Sequence, residues 1–314
     1  MVQVDLITGF LGAGKTTFLR RYVRYLVEQG HNVCILENDF GAVNVDAMLV
    51  QDLLGPRCDL ETISGGCDCD THQRRMRTKL IAMAMRGFDR VVVEPSGIFD
   101  VDEFFDVLRD DPLDRWYQVG NVIAIVDAML PETLSPQAEY LLASETANAG
   151  RVLLSRTRQA GQAQTAAAAA HLTRALEGCK CSRRFAPEEI LTKDWAQLTG
   201  ADLAALASCG YRQASCEKLH FDEHEAFSSL CFLEQHLTLQ QLQAAADRLF
   251  ADRACGHVLR VKGFAPDPGG QTDWLELNAT AAGKTLAPIP QGQDVLIVIG
   301  EGLDKAAIEA RLKA

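Results

Sequence analysis

The sequence predicts an α/β domain built on a mostly parallel sheet, followed by a small α+β domain. Three observations carry this expectation. Short apolar runs alternate with amphipathic stretches through the first half of the chain, the pattern of parallel strands joined by covering helices. A glycine-rich turn, GFLGAGKTT at 9–17, separates the first apolar run from the first amphipathic stretch. Beyond a looser stretch around 209–225, strand-like runs dominate, as in an antiparallel sheet. The domains are accordingly expected at 1–210 and 211–314.

The composition bounds the class. The chain has 314 residues, 47% of them hydrophobic and 23% charged, an ordinary globular balance with length for about two domains. That excludes a disordered tail, a collagen-like repeat and a coiled coil. Its 31 basic and 42 acidic residues leave a net charge of −11, which disfavours nucleic acid or an anionic membrane as a partner. No apolar run approaches the roughly 18 residues of a membrane span. The chain opens directly into a strand-like run without a charged leader, so a cytoplasmic protein is expected.

In chain order, strands are expected at 2–7, 33–37, 58–63, 91–94, 122–127 and 151–154. Between the first two, Phe18, Leu19, Tyr22, Val23, Leu26 and Val27 recur at helical spacing. They predict a helix from Thr16 to about Gln29, stopped by Gly30. Further helices are expected at 71–86, 101–108 and 162–177, the last rich in alanine, a strong helix former. The second domain should hold strands at 227–233, 258–264, 274–280 and 295–299, with helices at 239–251 and 304–313.

The turn at 9–17 fits G-x4-G-K-[ST], after a strand and before a helix, as a phosphate-binding loop requires. Its glycines let successive N–H groups point inward, and the helix N-terminus adds partial positive charge. Gly9, Gly12, Ala13, Gly14, Lys15, Thr16 and Thr17 are the expected nucleotide contacts. Lys15 should reach the β- and γ-phosphates, and Thr16 should ligate Mg²⁺. Asp39, just after the second strand, is placed to hold Mg²⁺ directly or through water. Glu94, at a strand end in EPSG (94–97), is placed to orient the attacking water, and the Gly97 N–H to sense the γ-phosphate.

Ten cysteines need an account. In a reducing compartment a disulfide framework is not expected. Cys34, Cys58, Cys209, Cys216, Cys231 and Cys255 read as small buried hydrophobes. Cys179 and Cys181 read as a turn after a helix, beside Arg183 and Arg184, which would lower a thiol pKa. Cys67 and Cys69 keep different company, in SGGCDCDTH (64–72). Two thiolates two residues apart, joined by Asp70 or His72, suit Zn²⁺ or Co²⁺, and a site with few protein ligands is open enough to pass its metal on. His220 and His224 read as part of a solvated linker, and the acidic run 100–114 as a solvated helix face.

Together these motifs resemble the CobW-like GTPases, relatives of the urease and hydrogenase accessory GTPases. The resemblance rests on GFLGAGKTT, ENDFG (37–41), GGCDCDT (65–71), EPSG and VDA (126–128). FSSLCF (227–232), LRVKGF (259–264) and VLIVIGEGLD (295–304) extend it to the second domain. It implies a GTP- and Mg²⁺-dependent metallochaperone that delivers a transition metal to a client metalloprotein or a cofactor-assembly protein. Hydrolysis should be slow without a client, since no arginine finger can be assigned.

Three departures from the family pattern stand out. Asp70 replaces the last cysteine of C-x-C-C, exchanging a soft ligand for a hard one. Asp39 replaces a glutamate. After the strand at 151–154, Ser155-Arg156-Thr157-Arg158 stands where the family carries the guanine-reading N-K-x-D. Ser155 and Arg156 remain candidate nucleotide contacts, and the Arg156 plane can stack on a purine. Arg158, a donor only, cannot accept from guanine, so ATP is not excluded. Two other readings fit the loop. One is a regulatory switch protein without metal cargo, in which Cys67 and Cys69 are structural. The other is a small-molecule kinase, for which the sequence shows no arginine-rich lid.

Overall fold

The structure is a computed structural model. It describes residues 1–39, 49–64, 69–97, 101–214, 216–217, 227–267, 270, 272–289 and 291–313, with the side chains at 38, 39, 64, 69, 70, 72, 102 and 103 outside the description. The chain divides into two compact units, Met1–Phe40 with Val50–Leu219, and Gly41–Leu49 with His220–Ala314.

Among the described residues, the first unit holds seven strands: β1 (Val2–Thr8), β2 (Val33–Asp39), β3 (Cys58–Ser64), β4 (Arg90–Pro95), β5 (Tyr117–Asp127), β6 (Arg151–Ser155) and β7 (Ile190–Leu191). They form one sheet in the order β3-β2-β4-β1-β5-β6-β7, parallel at every pairing. The central strands are apolar on both faces: Leu6 and Ile7, Val91 to Val93, and Val122 to Ile125 are all fully buried. Both faces must therefore be covered by helices. On one, α1 (Lys15–Glu28) packs Phe18, Leu19, Tyr22, Val23 and Leu26 against Ile7, Ile35, Val92 and Ile125. Each such side chain contributes roughly 1.5–3 kcal/mol on burial. The other face is covered by α2 (Cys69–Met85), α3 (Val101–Arg109), α4 (Pro136–Ala147) and α5 (Thr157–Gly178).

Several bounds differ from expectation for identifiable reasons. Strand β5 begins at Tyr117 rather than at 122, because Asn121 is tolerated inside it: its backbone and side-chain N–H groups donate to buried Asp5 Oδ1 at 2.9 and 2.8 Å. Helix α5 begins at Thr157 rather than at 162, with non-helical backbone at Gly161 (φ 72°) interrupting it. Helix α4 was not expected. Leu141, Leu142, Ala143 and Glu145 to Ala147 bury it around most of its circumference, which leaves no one-sided stripe to read. A further helix, α6 (Gly200–Leu206), is short and begins in a Thr199/Asp202 capping box.

In the second unit, β8 (Ser228–Leu233), β9 (His257–Pro266), β10 (Trp274–Thr280), β11 (Gly283–Ile289) and β12 (Val295–Glu301) form an antiparallel sheet in the order β11-β10-β9-β12-β8. Helices α7 (Leu239–Ala251) and α8 (Lys305–Leu312) cover it, packing Leu242, Leu249 and Ile308 on Val261, Leu277 and Leu296. Strand β11 is an edge strand, exposed along its length except for Ile289 and carrying Pro288. It therefore shows none of the alternation that marks a half-buried strand.

One cysteine expectation is corrected. Cys181 and Cys216 form a disulfide across 35 residues of sequence, with Cα atoms 4.0 Å apart, so Cys216 is not a lone core thiol. The chain returns past the end of α5, where the Glu217 N–H donates to the Cys179 carbonyl at 2.9 Å. Cys179 is not acidified either: burial and the nearby Glu139 carboxylate push its pKa up. Cys34 and Cys58 are buried core thiols, and burial raises them to about 12 and about 11.

Candidate functional site

The phosphate loop leaves the carboxyl end of β1, between β4 and β5, where open α/β sheets bind ligands. Gly9 starts it with φ at 137°, and any side chain there would collide with the Ile125 carbonyl oxygen. The Gly9 N–H donates to Oε2 of Glu145 at 2.9 Å, and the Thr8 hydroxyl donates to the Glu145 carbonyl at 2.6 Å. Glu145, from α4, is only 1% exposed. The turn closes with the Ala13 N–H donating to the Phe10 carbonyl at 3.1 Å, and α1 starts on Gly14. Buried Lys15 folds back so that Nζ donates to the Gly9 carbonyl at 2.7 Å. The ammonium is thus held over the loop. Thr17 is exposed.

Beside this loop, the Thr16 hydroxyl donates to Glu94 Oε1 at 2.8 Å. Glu94 and Glu37 are buried register partners on β4 and β2. Carboxylates at paired positions of neighbouring parallel strands project to the same face, where their oxygens can serve a divalent cation. Oxygen donors of this kind fit Mg²⁺. Gly97 rides on the loop: a Cβ there would lie 2.7 Å from the Leu11 nitrogen and 2.8 Å from Lys15 Nζ. The β2 backbone ends at Asp39, and α2 begins at Cys69 and Asp70. The side chains of Asp39, Cys69 and Asp70 and the whole of Cys67 lie outside the described residues. Among the described residues, no group of three or more His, Cys, Asp or Glu side chains is placed to hold a metal ion.

The other flank of the loop is built from β5, β6 and the segment after β7. Arg156, the N-cap of α5 with φ at 54°, donates from Nε to Asp127 Oδ1 at 2.9 Å and from Nη2 to the Gly12 carbonyl at 3.0 Å. Its Nη2 also pairs with Asp127 Oδ2. Burial raises the Asp127 pKa, with the Arg156 guanidinium pulling the other way. The buried Ser155 hydroxyl finds no partner among the described residues. Trp195 lies 3.4 Å from where a Gly14 Cβ would sit, and its ring meets Phe18 edge-on with centroids 5.7 Å apart.

The structure thus brings together Gly9, Gly12, Ala13, Gly14, Lys15, Thr16, Glu94, Gly97, Ser155 and Arg156. It adds Glu37, Asp127, Glu145 and Trp195, to which the sequence reading gave no role. Asp127 lies inside the VDA motif and Glu37 opens ENDFG, so both had a local signal. Glu145 and Trp195 had none, since only the fold brings them to the loop.

Comparison with known proteins places this geometry in a family. The family described as "CobW/HypB/UreG, nucleotide-binding domain" matches residues 3–182. The zinc chaperone YjiA of Escherichia coli K12 is 32% identical over 173 residues, 52% of this chain and 52% of that protein. The zinc chaperone CobW of Pseudomonas aeruginosa is 27% identical over an alignment covering 99% of this chain and 91% of that protein. The crystal structure of the Zn(II)-bound YjiA GTPase from E. coli covers 99% of this chain and 98% of that one, at 20% identity and a TM-score of 0.38. The sequence match spans about half of the length of YjiA. The matched residues contain the phosphate loop, the Thr16–Glu94 contact and the turn after β6, and on that match the chain belongs to the CobW/HypB/UreG family of nucleotide-binding domains.

Proposed function

We propose that this protein is a Mg²⁺-dependent GTPase of the metal-delivering kind, which binds a zinc- or cobalt-type ion and passes it to a client metalloprotein or cofactor-assembly protein in the cytoplasm. The observation that carries the nucleotide half is the 2.8 Å contact between Thr16 and Glu94 beside Lys15. The loop N–H groups and the α1 N-terminus take the phosphates, and the Lys15 ammonium exchanges the Gly9 carbonyl for a phosphate oxygen. Thr16, with Asp39 or Glu94, would hold Mg²⁺, which when bound neutralises the charge of the β- and γ-phosphates. Glu94 orients the attacking water. As the water oxygen bonds to the γ-phosphorus, the bond to the β-phosphate oxygen breaks; the water's proton passes to the departing phosphate or to solvent, and the nucleoside diphosphate and inorganic phosphate are released.

The cargo half of the reading rests on Cys67, Cys69 and Asp70, and on relatives named zinc chaperones. The cysteine segment lies in sequence between the strand ends bearing Asp39 and Glu94, so loss of the γ-phosphate would reposition it. A Co²⁺ titration followed by visible absorption tests this, on wild type and on Cys67→Ser/Cys69→Ser, with and without a non-hydrolysable GTP analogue. A thiolate-to-cobalt band is expected in the wild type, absent from the variant, with a midpoint that moves on adding the analogue. The same band in both proteins would make the cysteines structural and leave a regulatory switch without metal cargo.

A further inference from the structure

The nucleotide site has a direction. Thr16, Glu94 and Gly97 gather on the β4 side of the phosphate loop, where the terminal phosphate and the metal belong. A bound nucleoside triphosphate must then extend its base to the opposite side, over the carboxyl ends of β5, β6 and β7. The walls there are Asp127, the Ser155–Arg158 turn, and the Lys193–Trp195 segment after β7. Arg156 and Trp195 touch the loop itself, at Gly12 and beside Gly14.

Guanine differs from adenine in presenting two donors side by side, N1–H and the N2 amino group, so selecting it requires an acceptor aimed at that edge. The side chains of this quarter are mostly donors. Arg156 and Arg158 carry guanidiniums with no acceptor atom, and Lys193 and the Trp195 indole likewise only donate. Among the described residues, the nearby carboxylates each already accept at least one hydrogen bond. Asp127 accepts Arg156 and the Met129 N–H, Asp194 accepts the Ala196 N–H, and Asp202 accepts Lys193 and Thr199. The Asp127–Arg156 fork further spends its charge on pinning the Gly12 carbonyl, which leaves it as a brace of the loop instead of a reader of the base.

We infer that this site selects its nucleotide through the triphosphate and tolerates either purine, so that ATP, GTP and ITP bind with comparable affinity. The inference rests on the nucleotide-driven reading above and removes guanine selectivity from it. The two expectations are far apart in magnitude. A site that reads a base through buried hydrogen bonds rejects the wrong one by about 10⁴–10⁵, whereas a site fitted only to shape separates them by about tenfold to a hundredfold.

Isothermal titration of the full chain with Mg²⁺ and the non-hydrolysable β,γ-imido analogues of GTP and ATP decides between them, with ITP as a third ligand. Dissociation constants within about a hundredfold of one another are expected. In Arg158→Asp, which places a carboxylate in the first turn of α5 where it suits the helix dipole, the GTP analogue should gain at least about tenfold over the ATP analogue. A guanine preference above about a hundredfold in the wild type overturns the inference and leaves the GTPase reading standing. Failure of all three nucleotides to bind overturns that reading, and the inference with it.

Discussion

Glu145 keeps a carboxylate away from water to hold the first amide of the phosphate loop. Burying such a group is costly unless its oxygens are satisfied, and the Gly9 N–H is one of its donors. Hydrogen bonds to a charged acceptor contribute about 1.5–3 kcal/mol. Glu145→Ala should therefore lower the unfolding free energy by about 2–3 kcal/mol and weaken nucleotide binding by about tenfold, because Gly9 loses the partner that fixes its conformation. Glu145→Gln, with an oxygen in the same place, should recover most of the binding. Urea unfolding and nucleotide titration check both, and an alanine variant that binds as the wild type does would detach Glu145 from the loop. At this scale the sequence pointed to residues whose expected roles depend on neighbours in sequence, such as Lys15 and Thr16. Glu145 and Trp195 act through contacts 136 and 181 positions away, which no local pattern encodes.

Among the elements, the turn Pro187–Glu189 before β7 shows how charge fixes a connection. Glu189 accepts the Ala186 N–H at 2.8 Å and pairs with Arg183 and Arg212, each at 3.1 Å. Burial by itself would raise its pKa; the amide and the two guanidiniums outweigh burial and hold it below the ordinary 4.5. A folded-state pKa below the unfolded one stabilises the protein fully above the unfolded value and less as pH falls through the folded one. Glu189→Gln should be less stable than the wild type near pH 7, by about 1–2 kcal/mol, and nearly equal to it at about pH 3. Denaturant curves across that range test the sign, and a difference that grew on acidification would refute it. The elements readable in advance were those with one buried face, such as α1. Helix α4, buried nearly all round, and β11, exposed nearly throughout, lack the contrast that periodicity needs.

For the molecule as a whole, each unit has its own apolar packing: a cluster on each face of the parallel sheet in the first, and in the second a cluster beneath α7 with a smaller one of Phe264, Ile289, Val295 and Ile297. Large-to-small substitutions in such cores cost about 2–5 kcal/mol. Leu19→Ala should lower the melting transition of the first unit, and Leu242→Ala that of the second, in scanning calorimetry of the intact chain. A single transition displaced alike by both would show the cores melting as one. The division into a parallel-sheet unit and an antiparallel-sheet unit followed from the spacing of apolar runs. The Cys181–Cys216 disulfide did not, because it depends on the chain returning to a place that sequence distance conceals.

The position of Trp195 has a practical consequence. Of the three tryptophans in the chain, Trp116 ends the one-turn helix before β5 and Trp274 opens β10, while Trp195 rests against the start of α1. Its indole is a natural chromophore set beside the phosphate loop, so ultraviolet emission should change when a nucleotide occupies that loop. If it does, the proposed nucleotide cycle could be watched in real time by the protein's own light, with no dye attached.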